Sequence, residues 1–207
     1  MTVRPKLALT NAALSAVALL AGCGSGAGTT DTSEQPATSS VDMHGAPEVQ
    51  NPLDTKAFQQ KPCATLKPAQ LRGLKMGDTK GESDDSTGGP SCTWTDRFAG
   101  PSDSTVQVTY MVNGAGLKHV YQQKDVFEYF RELSQIEGYP AVAGSSLAPQ
   151  TPTPEEAGSC DVNVGVKNDL VVLTQITLGD DSPYQGDPCG RARDVATEVV
   201  KTLKAGT

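Results

Sequence analysis

Hydrophobic and polar residues change their spacing several times along the chain, and each change predicts an element. Behind the cationic Arg4 and Lys6, the stretch from Leu7 to Ala21 is mostly apolar, interrupted by Thr10, Asn11 and Ser15. It is shorter than the roughly 20 apolar residues of a spanning helix, so residues 1–22 read as a secretory signal peptide. Residues 23–51 show no period. "GSGAGTTDTSEQPATSS" holds too few apolar side chains to offset the entropy of ordering the backbone, which predicts a disordered tether. About 27 flexible residues have an r.m.s. span of roughly 30 Å, enough to hold a domain clear of the surface that anchors it.

Periodic patterning begins after Asn51 and predicts a single domain over residues 52–207. In "KPCATLKPAQLRGLKMG", Pro62 and Pro68 each stand at the first position of a short helix, with Gly77 as the stop of the second. Residues 77–91 read as a loop, followed by "SCTWTD". In "STVQVTYMVNG", Val106, Val108, Tyr110 and Val112 alternate with polar residues or Met, the mark of a half-buried strand. Leu117, Val120, Tyr121, Phe127, Phe130 and Leu133 fit one helical face, with Lys124 as a gap. Asp125 and Glu128 have the spacing of a capping box, so this segment is one helix or two.

"GYPAV" then predicts a short strand and "TPTPEEAG" a loop. "CDVNVGV" and "LVVLTQITL" predict two strands joined by Lys167, Asn168 and Asp169, whose Asn and Asp tolerate the positive φ of a tight hairpin. The last helix is capped by Asp187 and carries Pro188 in its first turn. Ala192, Val195, Ala196, Val199, Val200 and Leu203 lie on one stripe, and Lys201 and Lys204 suit the dipole of the last turn. Strands adjacent in sequence with helices at both ends predict an α+β fold, an antiparallel β-sheet covered by helices.

Charge narrows the partners. The chain carries 17 Lys and Arg against 24 Asp and Glu, a net −7; loss of Arg4 and Lys6 with the signal leaves 15 against 24, or −9. So acidic a body gains little from polyanions, so nucleic acid is not an expected partner and electrostatics alone would not hold the domain to a membrane.

The cysteines supply an anchor and staples. Cys23 ends Leu20-Ala21-Gly22-Cys23, which resembles the lipobox of bacterial lipoproteins. In those proteins the cysteine sulfur takes a diacylglyceryl group and the chain is cut before it. Two or three acyl chains, at about 0.8 kcal/mol per buried methylene, anchor stably where one would not. The alternative is an ordinary signal peptide followed by a chance cysteine.

The other four cysteines allow three connectivities in an oxidising exterior. Cys63 and Cys189 each follow a proline at a helix start, Cys92 and Cys160 each follow a serine at a strand start, and both separations are 29 residues. This internal symmetry favours Cys63–Cys92 and Cys160–Cys189, each stapling a helix start to a strand. A four-thiolate metal site would need close pairs such as C-x-x-C, and the chain has none.

Taken in order behind the lipobox, "PCATLKPAQLRGL", "CTW", "GYPAV", "CDVNVGV" and "DPCGRARDVATEVVKTL" resemble the actinobacterial lipoproteins grouped as domain of unknown function 3558. The resemblance spans about residues 50 to 205. It implies an exported lipoprotein of the high-GC Gram-positive envelope and implies no chemistry. Lys67 is a departure, because Ser, Thr or Asp is more usual as the cap before Pro68.

Catalytic patterns are sparse. Of the two histidines, His44 lies in the tether and His119 in a helix beside Lys118, the setting of a solvated surface residue. No G-x-S-x-G, H-E-x-x-H or P-loop occurs. The glycines of "NGAGLKH" read as a strand-to-helix turn rather than an anion site. "GDDSPYQGD" offers Asp180, Asp181 and Asp187 but lacks the spacing of a calcium loop, and Asp187 is already a cap. Trp94 shares a strand face with Cys92 and reads as a core residue beside the disulfide.

No catalytic, cofactor-binding or metal-ligating residue is therefore expected. The expected function is a non-catalytic binding module, lipid-anchored at the extracytoplasmic face of the cell membrane and meeting a cell-envelope protein or small ligand. The alternative is an extracellular hydrolase using two carboxylates that converge in a cleft.

Overall fold

The computed structural model describes residues 43–85, 88–97, 100–112, 116–148 and 150–206. The predicted signal peptide, Cys23 and the first part of the tether lie outside the described residues. The elements run α1 (Lys56–Gln60), a 3-10 turn (Pro62–Thr65), α2 (Pro68–Gly73), β1 (Glu82–Asp84), β2 (Ser91–Thr95), β3 (Ser104–Met111) and α3 (Gly116–Gln122). They continue β4 (Tyr129–Ile136), β5 (Tyr139–Ser145), α4 (Pro154–Ala157), β6 (Ser159–Lys167), β7 (Leu170–Leu178) and α5 (Pro188–Ala205).

All seven strands join one antiparallel sheet in the order β1-β2-β3-β7-β6-β5-β4. The strands β4 to β7 form a meander that folds back and docks its last strand on β3. Register puts Val108, Thr174, Val162 and Ala143 in one transverse row, and Tyr110, Val172, Val164 and Ala141 in the next. This face is the main core, closed by the α5 stripe of Ala192, Val195, Ala196, Val199, Val200 and Leu203 and by Leu66, Leu71 and Met76 of the amino-terminal segment. The one polar tip in the Tyr110 row is satisfied, its hydroxyl lying 2.6 Å from Thr65 Oγ1.

Period two sends the intervening residues to the other face. There α3 packs Leu117, Val120 and Tyr121 over Val142 and Val171, and Tyr121 meets Phe130 edge to face at 5.4 Å. Close approach sets the glycines: Leu117 lies 2.8 Å from where a Cβ on Gly165 would sit. Gly116 has φ +57, and a Cβ there would strike the Asn168 carbonyl. Beyond α3 the same face carries the row Asp161, Gln175, Gln107 and Thr93.

The α+β class and the final helix are as expected, and several local expectations need correction. Only Gly116–Gln122 of the segment 117–133 is helical; residues 123–128 turn, and Tyr129–Ile136 is an edge strand paired with β5. Tyr129 and Leu133 pack on the main core while Phe130 packs on the other face, the alternation of a strand. Glu128 caps no helix; its Oε2 accepts from Leu147 N at 3.1 Å. The turn into β5 uses Glu137 (φ 52) and Gly138 (φ 91), the paired positive φ values of a type I′ hairpin. Neither Asn168 nor Asp169 has a positive φ; a bulge between Gly165 and Lys167 takes up the twist there instead.

Helix α2 ends at Gly73, short of Gly77, and its cap uses Gln70 Oε1, which accepts from Lys67 N at 2.9 Å. Residues 77–91 contain β1, and "TPTPEEAG" contains α4, capped by Thr153 Oγ1. Val112 lies past the end of β3 and is 47 % exposed. Ala46 and Val49, expected in the tether, are buried in the fold, and Asn168 Oδ1 accepts from Val49 N at 2.8 Å.

Asp187 caps α5 as expected, accepting from Gly190 N at 2.8 Å. Asp187→Ala orphans that donor and is expected to cost about 1 kcal/mol in urea unfolding. An unchanged midpoint would remove the cap from the account of α5.

Candidate functional site

Both disulfides join the cysteines that the internal symmetry pairs. Cys63–Cys92 (S–S 2.00 Å) ties the 3-10 turn to β2, and Cys160–Cys189 (S–S 2.03 Å) ties β6 to the first turn of α5. Trp94 is buried beside the first. A Cβ on Gly81 would lie 2.5 Å from Cys92 Sγ and 2.7 Å from Trp94 Nε1, so this glycine fits between ring and sulfur. Disulfides persist in oxidising compartments, which fits an extracytoplasmic domain. Among the described residues no helix is long and apolar enough to cross a membrane.

The other residues singled out in the sequence do not converge. His44 is exposed, and half-buried His119 on α3 has its Nε2 2.6 Å from Gln123 Nε2. Asp181 N donates to Asp103 Oδ2 at 3.2 Å, and Asp187 is the α5 cap. No group of three or more His, Cys, Asp or Glu side chains placed to hold a metal occurs among the described residues.

A different residue organises the concave surface. Arg191 lies four residues before Val195 on the buried stripe of α5, and only 3 % of it is exposed. Its Nη2 donates to the Leu74 carbonyl at 2.5 Å, and its guanidinium carbon lies 4.3 Å from the centre of the Tyr184 ring. Its Nε is buried without a hydrogen-bond partner. Among the described residues no carboxylate comes within 4.0 Å of the group. Burial therefore pushes the Arg191 pKa down, opposed at longer range by Tyr184, Asp194 and Asp96.

Two clefts meet at Arg191. One, about 570 Å³, runs between α2 and α5, with Gln70, Gly73, Leu74, Tyr184 and Thr197 among its walls. The other, about 540 Å³, opens at the start of α5 between Pro183, Gly186 and Arg193. Arg191, Tyr184 and Asp194 line both. These volumes suit a small ligand. The far end of the first cleft is tied by Gln70, whose Nε2 donates to the Glu198 carbonyl at 2.8 Å and whose Oε1 accepts from Thr202 Oγ1 at 3.0 Å. Lys201 donates to Glu198 Oε1 at 2.8 Å and holds the Glu198 carboxyl below its usual pKa.

On the opposite sheet face lies Asp161, the most strongly perturbed carboxyl among the described residues. Burial raises its pKa to about 6, and one hydrogen bond, from Gln175 Nε2 at 3.3 Å, opposes that. No cationic nitrogen among the described residues lies within 4.0 Å.

Sequence reasoning missed both charged groups. Arg191 was legible in part, as a cation in register with Val195 and Val199 on the apolar stripe. Asp161 falls on the polar face of its strand by simple alternation, so its burial had no local signal.

No curated protein and no solved structure matches the chain. The family described as "Protein of unknown function (DUF3558)" matches residues 18–202. That match covers the predicted end of the signal, both disulfides and the clefts at Arg191, and the chain belongs to this family.

Proposed function

We propose that this chain is an exported lipoprotein whose folded domain binds a ligand or envelope partner, without catalysis, at the outer face of the cell membrane. The pair of clefts meeting at Arg191 is the observation that carries the binding reading. Each has the size of a small-molecule site, and both are lined by a buried guanidinium that no carboxylate among the described residues meets within 4.0 Å. The lipobox at Leu20 to Cys23 supports the anchor, and the acidic balance of the chain disfavours nucleic acid as the partner.

The anchor is tested by Cys23→Ser in the full chain expressed in an actinobacterial host. The wild-type protein is expected in the membrane fraction with a diacylglyceryl mass on Cys23, and the variant in the aqueous fraction without it. Membrane retention of the variant, or a mature terminus at another residue, would overturn the lipoprotein assignment.

A further inference from the structure

We propose that the two clefts form one site for an organic anion, a carboxylate or phosphate on a small apolar body, whose acid oxygens pair with the guanidinium of Arg191. This rests on the reading of the domain as a binding module and names what it binds. Charges taken out of water are normally paired, because leaving one unpaired costs several kcal/mol. Arg191 is almost wholly buried, yet of its five N–H donors the structure commits one, at Nη2, to the Leu74 carbonyl, and leaves Nε without an acceptor.

The neighbouring charges do not replace the missing anion. Asp194 and Asp96 act on Arg191 from beyond 4.0 Å, and Glu198 is engaged with Lys201 and Gln70. A guanidinium fork matches the geometry of carboxylate and phosphate oxygens. Its place over the Tyr184 ring and its bond to the Leu74 carbonyl hold the group in position before any ligand arrives. Ala69, Gly73, Leu74 and the Tyr184 ring give the first cleft apolar wall for the body of such a ligand.

Calorimetric titration of the mature full chain with benzoate, phenyl phosphate and neutral benzamide tests the assignment. At least one anion is expected to bind about tenfold more tightly than benzamide, and the tighter of the two identifies the acid. Arg191→Met is expected to abolish that preference. Because Arg191 also holds Leu74, two milder variants carry the test if this one does not fold. Asp194→Asn removes the carboxylate that lines both clefts and acts more strongly on Arg191 than Asp96 does, and is expected to tighten the anions about two- to fivefold. Gly73→Trp fills the cleft from a position where an added Cβ meets nothing within 4 Å, and is expected to abolish binding.

Equal binding of benzamide and the anions, or anion binding indifferent to both milder variants, overturns the proposal. Equal binding that Gly73→Trp blocks does so while leaving the binding module intact. Release of phosphate from phenyl phosphate, suppressed by Gly73→Trp, would instead overturn the non-catalytic reading and leave the anion assignment standing.

Discussion

Replacing Cys160 and Cys189 together by alanine lowers the stability of the domain by about 3 to 4 kcal/mol, the loop-entropy value for a ring of about 30 residues. Removing Cys63 and Cys92 has a similar effect, since both bridges span 29 residues. The two rings do not overlap in sequence, so the losses add to about 7 kcal/mol. A domain of this size is typically stable by about 5 to 15 kcal/mol, so the chain without either bridge is expected to be largely unfolded at 37 °C. Alanine is the appropriate replacement because Cys160 and Cys92 are wholly buried, and a serine hydroxyl there would add an unsatisfied polar group. Urea unfolding followed by Trp94 fluorescence measures each step. A loss below about 1 kcal/mol for either pair would mean that the staple merely accompanies a fold that its core already holds.

Asp161→Asn works in the opposite direction. Burial raises the folded pKa to about 6 from 3.8 in an unperturbed chain. Between those values the folded state binds more protons than the unfolded one, so wild-type stability falls as pH rises through that window and is level above it. About two pH units correspond to about 3 kcal/mol, the cost of keeping the ionised carboxylate in the fold. The asparagine never ionises and preserves the shape. It is therefore expected to be more stable than wild type by up to about 3 kcal/mol at pH 7.5, and by almost nothing below pH 4. Urea midpoints at the two pH values check the stability, and the carboxyl carbon shift of Asp161 reports its titration directly. Titration near pH 4, or a variant that keeps the wild-type pH profile, would show that water reaches the carboxylate freely.

Much of the architecture was legible in the chain because its signals are local. Val106, Val108 and Tyr110 alternate with polar neighbours, and all three are fully buried on one face. The stripe from Ala192 to Leu203 closes the core as its spacing requires, under the cap of Asp187. The segment from Leu117 to Leu133 failed for an instructive reason. Its apolar residues fit a helical period only by joining three that lie on α3 to Phe127 in the turn and to Phe130 and Leu133 on β4. What separates them is the pairing of Tyr129–Ile136 with β5 through the Glu137–Gly138 turn, a contact that hydrophobic periodicity does not encode. Ala46 and Val49 were lost to the tether for a similar reason, since isolated apolar residues in a polar stretch gain nothing until a surface elsewhere in the fold receives them.

By itself the sequence determined the α+β class, the core-facing residues of β3 and α5, and both disulfide partners. Caps, periods and repeated cysteine spacings act between near neighbours or through a symmetry visible in one dimension. Only the tertiary structure decided which charges lost their water. Arg191 is one cation on a helix until Leu74 and Tyr184 close over it, and Asp161 is one acid on a strand until burial raises its pKa. Desolvation is a property of everything packed around a group, so the candidate site became visible only when distant segments of the chain were brought together.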